Sequence, residues 1–159
     1  MPIEDRHRML QELKERAIPV SHQLVMLQVL EEYKEELKRE FNPIFSFNYP
    51  RETQLVLLEA ESYDFGLGFA AYPYKRATES VVPRRLITSG SVGFHNHLDD
   101  EDLDEDGDYL IFSEKLFVKW LGRILNEFRE YKDFPYRIAI FYRGGTYSRD
   151  IATGELIKE

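Results

Sequence analysis

The chain has 159 residues and a mass of 18.9 kDa, which is the size of one domain with its own hydrophobic core. Hydrophobic residues make up 43% of it and aromatic residues 14%, so the composition excludes the intrinsically disordered class. Cysteine is absent, which excludes disulfides, thiolate nucleophiles and cysteine-ligated metal centres.

The acidic excess of the chain is local. Twenty-one basic against twenty-nine acidic residues give a formal charge of −8, and residues 99–108 alone supply eight acids and no base. Outside that segment, 29 − 8 leaves twenty-one acids against twenty-one bases. This balance argues against a broad basic face for DNA or RNA, whereas a concentrated negative field steers positive partners toward it.

The sequence carries no pattern typical of secretion or membrane insertion. Its start, MPIEDRHRMLQELKERA, is charged throughout and lacks an apolar run of signal-peptide length. No stretch of eighteen uncharged apolar residues occurs. We therefore expect a soluble, cytoplasmic protein without membrane contact, and the sequence leaves its oligomeric state open.

Helical periodicity dominates the first 42 residues. Apolar residues at helical spacing predict a short helix over residues 4–17, which Ile18 and Pro19 end. Ser21 is the predicted N-cap of a second helix, and Asn42 with Pro43 is its predicted stop. The apolar stripe of this helix consists of Leu24, Leu27, Leu30, Tyr33 or Lys34, Leu37 and Phe41.

Strand patterns follow from residue 43. The segments IFSFNY and TQLVLLEA, separated by PRE, predict two strands joined by a short turn, and FGLGFAAY predicts a third strand of an antiparallel meander. Residues 73–108 are irregular, with short candidate strands at RRLIT and SVGFH.

The strongest helix lies in the last third of the chain. The run YLIF predicts a buried strand, and Ser113 is the predicted cap of a helix over residues 113–132, whose apolar residues repeat at three and four. Phe117, Trp120 and Phe128 are its predicted core residues. Beyond Pro135, YRIAIFY predicts a central strand and GTYSRDIATGELI a terminal hairpin.

Together these elements predict a single α+β domain over residues 1–159. Residues 1–42 form its helical N-terminal part. Residues 43–159 hold a mainly antiparallel sheet, one long helix and an acidic loop at residues 99–108. We expect the two N-terminal helices and the long helix to pack on one face of the sheet.

Part of the acidic loop resembles the opening half of an EF-hand calcium loop. Oxygen ligands at alternate positions and a glycine at the sixth position occur at Asp102, Asp104, Asp106, Gly107 and Asp108. Position twelve, where a bidentate Glu closes the coordination shell, is Ser113, and Glu114 comes one residue late. The resemblance implies calcium as an alternative ligand, with Asp102, Asp104, Asp106 and Asp108 as its metal ligands.

A second resemblance lies just before it. The string HNHLDD is one residue away from the His-x-His-x-Asp-His motif of metallo-β-lactamase-like hydrolases. It implies a small metal-dependent hydrolase that uses His95, His97 and Asp99. However, Asp100 stands where the third histidine of the motif belongs, and the sequence offers no further ligand or base beside these residues.

Partner binding is the interpretation that the charge pattern favours. A dense anionic segment fits a cationic groove, and its long-range attraction accelerates encounter. We therefore expect a non-enzymatic protein-binding module without a resident cofactor, analogous in charge and size to inhibitor or immunity proteins, that engages a basic protein. Simple solvation of a charge run is the alternative. The proposed contact residues are Asp99, Asp100, Glu101, Asp102, Asp104, Glu105, Asp106 and Asp108.

Two further groups of basic residues are candidates for binding. Tyr72, Tyr74, Lys75, Arg76, Arg84 and Arg85 form an aromatic-flanked basic segment, for which ordinary surface is favoured over stacking with nucleic-acid bases. Arg137, Arg143 and Arg149 alternate with aromatics near the C-terminus, and we expect them at a sheet edge or in solvent.

Overall fold

A computed structural model describes residues 3, 4, 6, 18–63, 66–94 and 108–157, with the backbone alone for residues 63 and 108–110. Within this part the chain folds into two α-helices and a seven-stranded sheet. The elements are helix α1 (Val20–Ser46), strands β1 (Leu55–Tyr63), β2 (Gly66–Arg76), β3 (Glu79–Ser80) and β4 (Thr88–Gly93), helix α2 (Asp108–Leu125), a 3-10 helix (Glu130–Asp133), and strands β5 (Arg137–Tyr142), β6 (Ser148–Asp150) and β7 (Leu156–Ile157).

The predicted helix over residues 4–17 lies almost wholly outside the described residues. Helical backbone is described there at Ile3, Glu4 and Arg6.

The sheet has the order β3-β2-β1-β5-β6-β7, and β4 pairs with the same strand, β2, as β3 does. All of its pairs are antiparallel except the central one, in which β1 runs parallel to β5 with Leu55 opposite Arg137 and Ala60 opposite Tyr142. The α+β class is thus confirmed. The sheet itself is mixed, because α2 lies between β4 and β5 in the chain and returns it alongside β1 in the same direction.

Both helices pack on one face of the sheet. The main core joins α1 and α2 to the residues of β1 that face them, Val56, Leu58 and Ala60. The predicted core residues are confirmed, since Phe117, Trp120 and Phe128 are 1%, 2% and 6% exposed. The opposite face carries a smaller buried cluster of Leu55, Leu57, Tyr74 and Ala139.

Helix α1 differs from its prediction at both ends. It begins at Val20 after Pro19 without a side-chain cap, so the predicted cap at Ser21 is wrong. It continues through Pro43 to Ser46, so the predicted strand IFSFNY is wrong as well. A proline this close to a helix end removes one late hydrogen bond, and the complete burial of Ile44 outweighs that loss.

The buried stripe of α1 also differs from the predicted one. Leu24 is 59% exposed and Leu27 is half-buried, whereas the buried side of the first turns is formed by Met26 and Val29. The predicted stripe is correct from Leu30 onward. The full buried set is Met26, Val29, Leu30, Tyr33, Leu37, Phe41 and Ile44.

Helix α2 begins earlier and ends earlier than predicted. The run YLIF is its first part and not a strand, and Ser113 is a buried residue inside the helix and not its cap. Phe112 packs against the main core on the same stripe as Leu116 and Trp120, four and eight residues later, which explains the helical start. The helix stops at Leu125, although Phe128 in the following turn is still buried.

The remaining strand predictions are largely correct. The segments TQLVLLEA and FGLGFAAY correspond to β1 and β2, which form the predicted antiparallel pair. The segment YRIAIFY forms the central strand β5, and β6 with β7 form the predicted terminal hairpin, whose turn contains Gly154 at a φ of 75°. In place of the two candidate strands RRLIT and SVGFH there is a single strand, β4. It begins at the last residue of the first candidate and includes the first three residues of the second.

Candidate functional site

The residues predicted to bind a metal or a partner lie almost entirely outside the described part of the chain. His95, His97 and all the acids of residues 99–106 fall there, and Asp108 is described only as backbone at the start of α2. The calcium, hydrolase and partner interpretations therefore stay predictions. Among the described residues, no group of three or more His, Asp or Glu is placed to hold a metal ion.

The described residues before and after this segment in the chain include side chains that are buried in the core. Phe94, which directly follows β4, is 2% exposed, and Phe117 in α2 is 1% exposed. Both belong to the main core on the helix-covered face of the sheet. In the sequence, the acidic residues therefore lie between two elements that are anchored in the same core.

The aromatic-flanked basic segment begins in β2 and ends before β4, and several of its side chains are engaged within the fold. The Arg84 guanidinium lies 3.9 Å from the ring centroid of Tyr72 and forms an ion pair with Glu59. Arg76 pairs with Glu79 at 3.3 Å. These contacts agree with the ordinary-surface interpretation of this segment.

An open cleft lies between α2 and the β6–β7 hairpin, with a volume of about 1050 Å³. It exists because the sheet is wider than its helical cover. Two helices of about 10 Å diameter cover roughly four strands at a strand spacing of about 4.8 Å. The sheet is six strands wide along the order β3-β2-β1-β5-β6-β7. The edge hairpin thus extends beyond α2 and leaves a gap beside it.

Strand register decides which side chains line the cleft. Ile140 of β5 is paired with Arg149 of β6, and Arg149 is paired with Leu156 of β7. Directly paired residues point to the same face of a sheet. Because Ile140 belongs to the helix-side core, Arg149 and Leu156 also face the helix layer, where α2 no longer covers them.

The backbone of the hairpin approaches α2 closely at the cleft. A Cβ added to Gly122 of α2 would lie 2.7 Å from the carbonyl oxygen of Ile151, just after β6. Glycine in a helix interior costs about 1 kcal/mol relative to alanine, and here the missing side chain lets the hairpin contact the helix. Ile111 and Tyr147 also line the cleft.

Four cationic side chains line the cleft. Lys115, Lys119 and Arg123 are spaced by four residues and form one row along α2, and Arg149 belongs to the opposite wall. Arg123 is held by an ion pair with Glu31 of α1. Arg149 donates to the carbonyl of Gly154. Lys119 is exposed and has no ion-pair partner among the described residues.

The cleft lining also contains partly exposed apolar side chains. Ile111, Tyr147 and Leu156 are 36%, 53% and 45% exposed, and all three are lining residues. Val118 and Ile140 belong to the same lining. An apolar surface of this kind beside charged residues is typical of a contact site.

The carboxyl group in the cleft lining is engaged inside the fold. The Ser62 hydroxyl donates to Oε1 of Glu114 at 2.6 Å, and the Tyr142 hydroxyl donates to the Glu114 carbonyl oxygen at 3.3 Å. Burial raises the pKa of Glu114 above its ordinary value, against the opposing effect of the Ser62 hydrogen bond. Burial also raises the pKa of Tyr142, which therefore keeps its proton at neutral pH.

Chemically, the arrangement is suited to binding. Its cationic side chains lie beside apolar ones, which is the composition of a recognition surface. Sequence reasoning missed this cleft and placed Arg149 at an edge or in solvent. The spacing of Lys115, Lys119 and Arg123 indicated one face of a helix, but nothing local indicated that a hairpin lies opposite.

No family model, curated protein or solved structure matches the chain. What can be stated of its class is therefore the α+β architecture with a mixed sheet. In the described ranges, neither helix is long and apolar enough to cross a membrane.

Proposed function

We propose that the protein is a non-enzymatic protein-binding module whose acidic segment, residues 99–108, engages a basic partner. The observation that supports this proposal is the electrical balance of the rest of the fold. The described residues outside this segment carry sixteen acidic and seventeen basic side chains, so their formal charge is 17 − 16 = +1. The net charge of the chain thus has a concentrated source.

Ion pairs reinforce this balance. Eight of the described basic side chains pair with described carboxylates, which reduces the positive field that would otherwise compensate the acidic segment. They are Lys34, Lys38, Lys75, Arg76, Arg84, Arg123, Arg137 and Arg143.

The test compares two variants with the same change in charge. In the first, Asp99, Asp100, Glu101 and Glu105 become the corresponding amides, which leaves the four predicted calcium ligands intact. In the second, the exposed acids Glu32, Glu36, Glu52 and Glu130 become Gln. Wild-type and variant proteins serve as baits for cationic proteins at low salt, and association rates of captured proteins are measured at two ionic strengths.

We expect the first variant to lose captured basic proteins and to slow their association by about tenfold, whereas the second variant resembles the wild type. The wild-type rate is expected to fall with added salt, because the Debye length is about 10 Å at 0.1 M. Equal losses in both variants would show that general charge, and not this segment, is responsible.

A further inference from the structure

The cleft between α2 and the β6–β7 hairpin carries an inference that is independent of the acidic segment. We propose that it binds an extended segment of a partner protein in which acidic residues alternate with apolar ones. The cleft combines cations on its walls with an apolar floor, so it selects against the basic partner proposed for residues 99–108 and is a second, oppositely charged site.

The charge of the lining supports an acidic ligand. Four cations face the cleft, whereas the lining carboxyl, Glu114, accepts a hydrogen bond from Ser62. Lys119 has no described ion-pair partner that a ligand would have to displace. An incoming carboxylate therefore gains an attraction at Lys119 without breaking an existing ion pair.

The geometry of the walls supports an extended chain. Residues four apart on a helix are separated by about 6 Å along its axis, which is the spacing of the row that contains Lys115 and Lys119. Alternate side chains of an extended peptide are about 6.6–6.8 Å apart and point to the same side. Carboxylates at every second position therefore match this row, and the side chains between them point to the other side.

The apolar lining of the cleft is evidence that the peptide residues between the carboxylates are apolar. Leu156 and Tyr147 are about half exposed, at 45% and 53%, although they lie beside the buried Ile140 and Ile151. Covering Tyr147 and Leu156 removes apolar surface from water, which favours binding by about 25 cal/mol per Å². The same contacts exclude water from the ion pairs at the rim.

The experiment measures fluorescence anisotropy of a labelled eight-residue peptide in which Glu alternates with Leu, titrated with the full chain. Two peptides serve as controls, one with Lys in place of Glu and one with Ser in place of Leu. The test variant is Lys119→Glu, whose side chain is exposed, and the matched control is Lys132→Glu, an exposed lysine outside the cleft. Arg149→Glu is a secondary variant, because Arg149 also donates to the Gly154 carbonyl.

We expect saturable binding of the Glu-Leu peptide, roughly tenfold weaker binding to Lys119→Glu, and unchanged binding to Lys132→Glu. Both control peptides are expected to bind at least tenfold more weakly. Circular dichroism of each variant checks that the fold is intact.

Several outcomes would overturn the proposal. Equal affinity of Lys119→Glu and the wild type would show that the cleft is not the site, and equal affinity of the Glu-Ser peptide would show that its floor is not used. A wild-type dimer that Lys119→Glu dissociates would identify a second copy of the chain as the occupant. Tighter peptide binding after neutralisation of residues 99–106 would identify the chain's own acidic segment instead.

Discussion

Gly122 of α2 faces the carbonyl oxygen of Ile151 so closely that a Cβ on the glycine would lie 2.7 Å from that oxygen. The contact joins the edge hairpin to the helix layer, and both Gly122 and Ile151 line the cleft. The obstacle is backbone, which does not move aside as a flexible side chain does.

This contact predicts the effect of Gly122→Ala. Alanine improves helix propensity by about 1 kcal/mol, but overpacking against backbone costs typically 1–3 kcal/mol, so we expect a net destabilisation of about 1 kcal/mol. Urea unfolding measures the difference. Lys119→Ala is the control, since it changes helix propensity only slightly at an exposed position and is expected within about 0.5 kcal/mol of the wild type. A stabilised Gly122→Ala would contradict the contact.

The raised pKa of Glu114 leads to a prediction about the pH dependence of folding stability. Its carboxyl has a pKa raised by burial, so its ionised form opposes folding, and its contribution to stability is present below the unfolded pKa and lost as the pH rises through the folded pKa. Glu114→Gln keeps an acceptor for Ser62 and has no ionised form. We therefore expect it to be more stable than the wild type at pH 7, with a smaller difference at pH 4, in denaturant unfolding at both pH values. A stability difference between Glu114→Gln and the wild type that grows on acidification would contradict the prediction.

The observed stripe of α1 gives a third prediction. Met26 is 2% exposed and Leu24 is 59% exposed, although the sequence pattern placed Leu24 on the buried side. Met26→Ala is expected to lower the free energy of unfolding by about 2–5 kcal/mol, because it leaves a cavity in the core. Leu24→Ala is expected to change it by less than about 1 kcal/mol. Similar losses in the two variants would contradict the position of this helix face.

The calcium alternative has its own test by calorimetry. If Asp102, Asp104, Asp106 and Asp108 supply ligands, titration with calcium releases saturable heat that Asp104→Ala abolishes. Asp99→Asn, which lies outside the Asp-x-Asp-x-Asp-Gly pattern, is the matched control and should retain the heat. Absence of heat from the wild type at roughly millimolar calcium would remove this alternative.

Local signals account for the parts of the fold that were predicted correctly. The repeat of Phe117, Trp120 and Phe128 at helical spacing indicated a buried helix, and these residues are buried. Adjacent apolar segments indicated the β1–β2 pair. Such elements depend on residues close in the chain, whose spacing reflects the helical and strand periods directly.

The incorrect predictions lie where distant residues decide the local structure. Ile44 is buried against the core, which extends α1 beyond Pro43, a residue that usually ends helices. The four-residue run YLIF fits a strand or a helix equally well, and packing of Phe112 against the main core favours the helix. A short apolar run has no period of its own, so its neighbours in space determine its conformation.

By itself, the sequence determined the α+β class, the identity of most core aromatics and the position of the eight clustered carboxylates, because composition and short-range spacing are properties of the chain alone. The tertiary structure decided that β1 lies parallel to β5 and that the edge hairpin extends past α2. Both depend on pairing between residues about eighty positions apart, such as Leu55 and Arg137. The cleft with Lys119 on one wall and Arg149 on the other arises only when that pairing brings the two walls together.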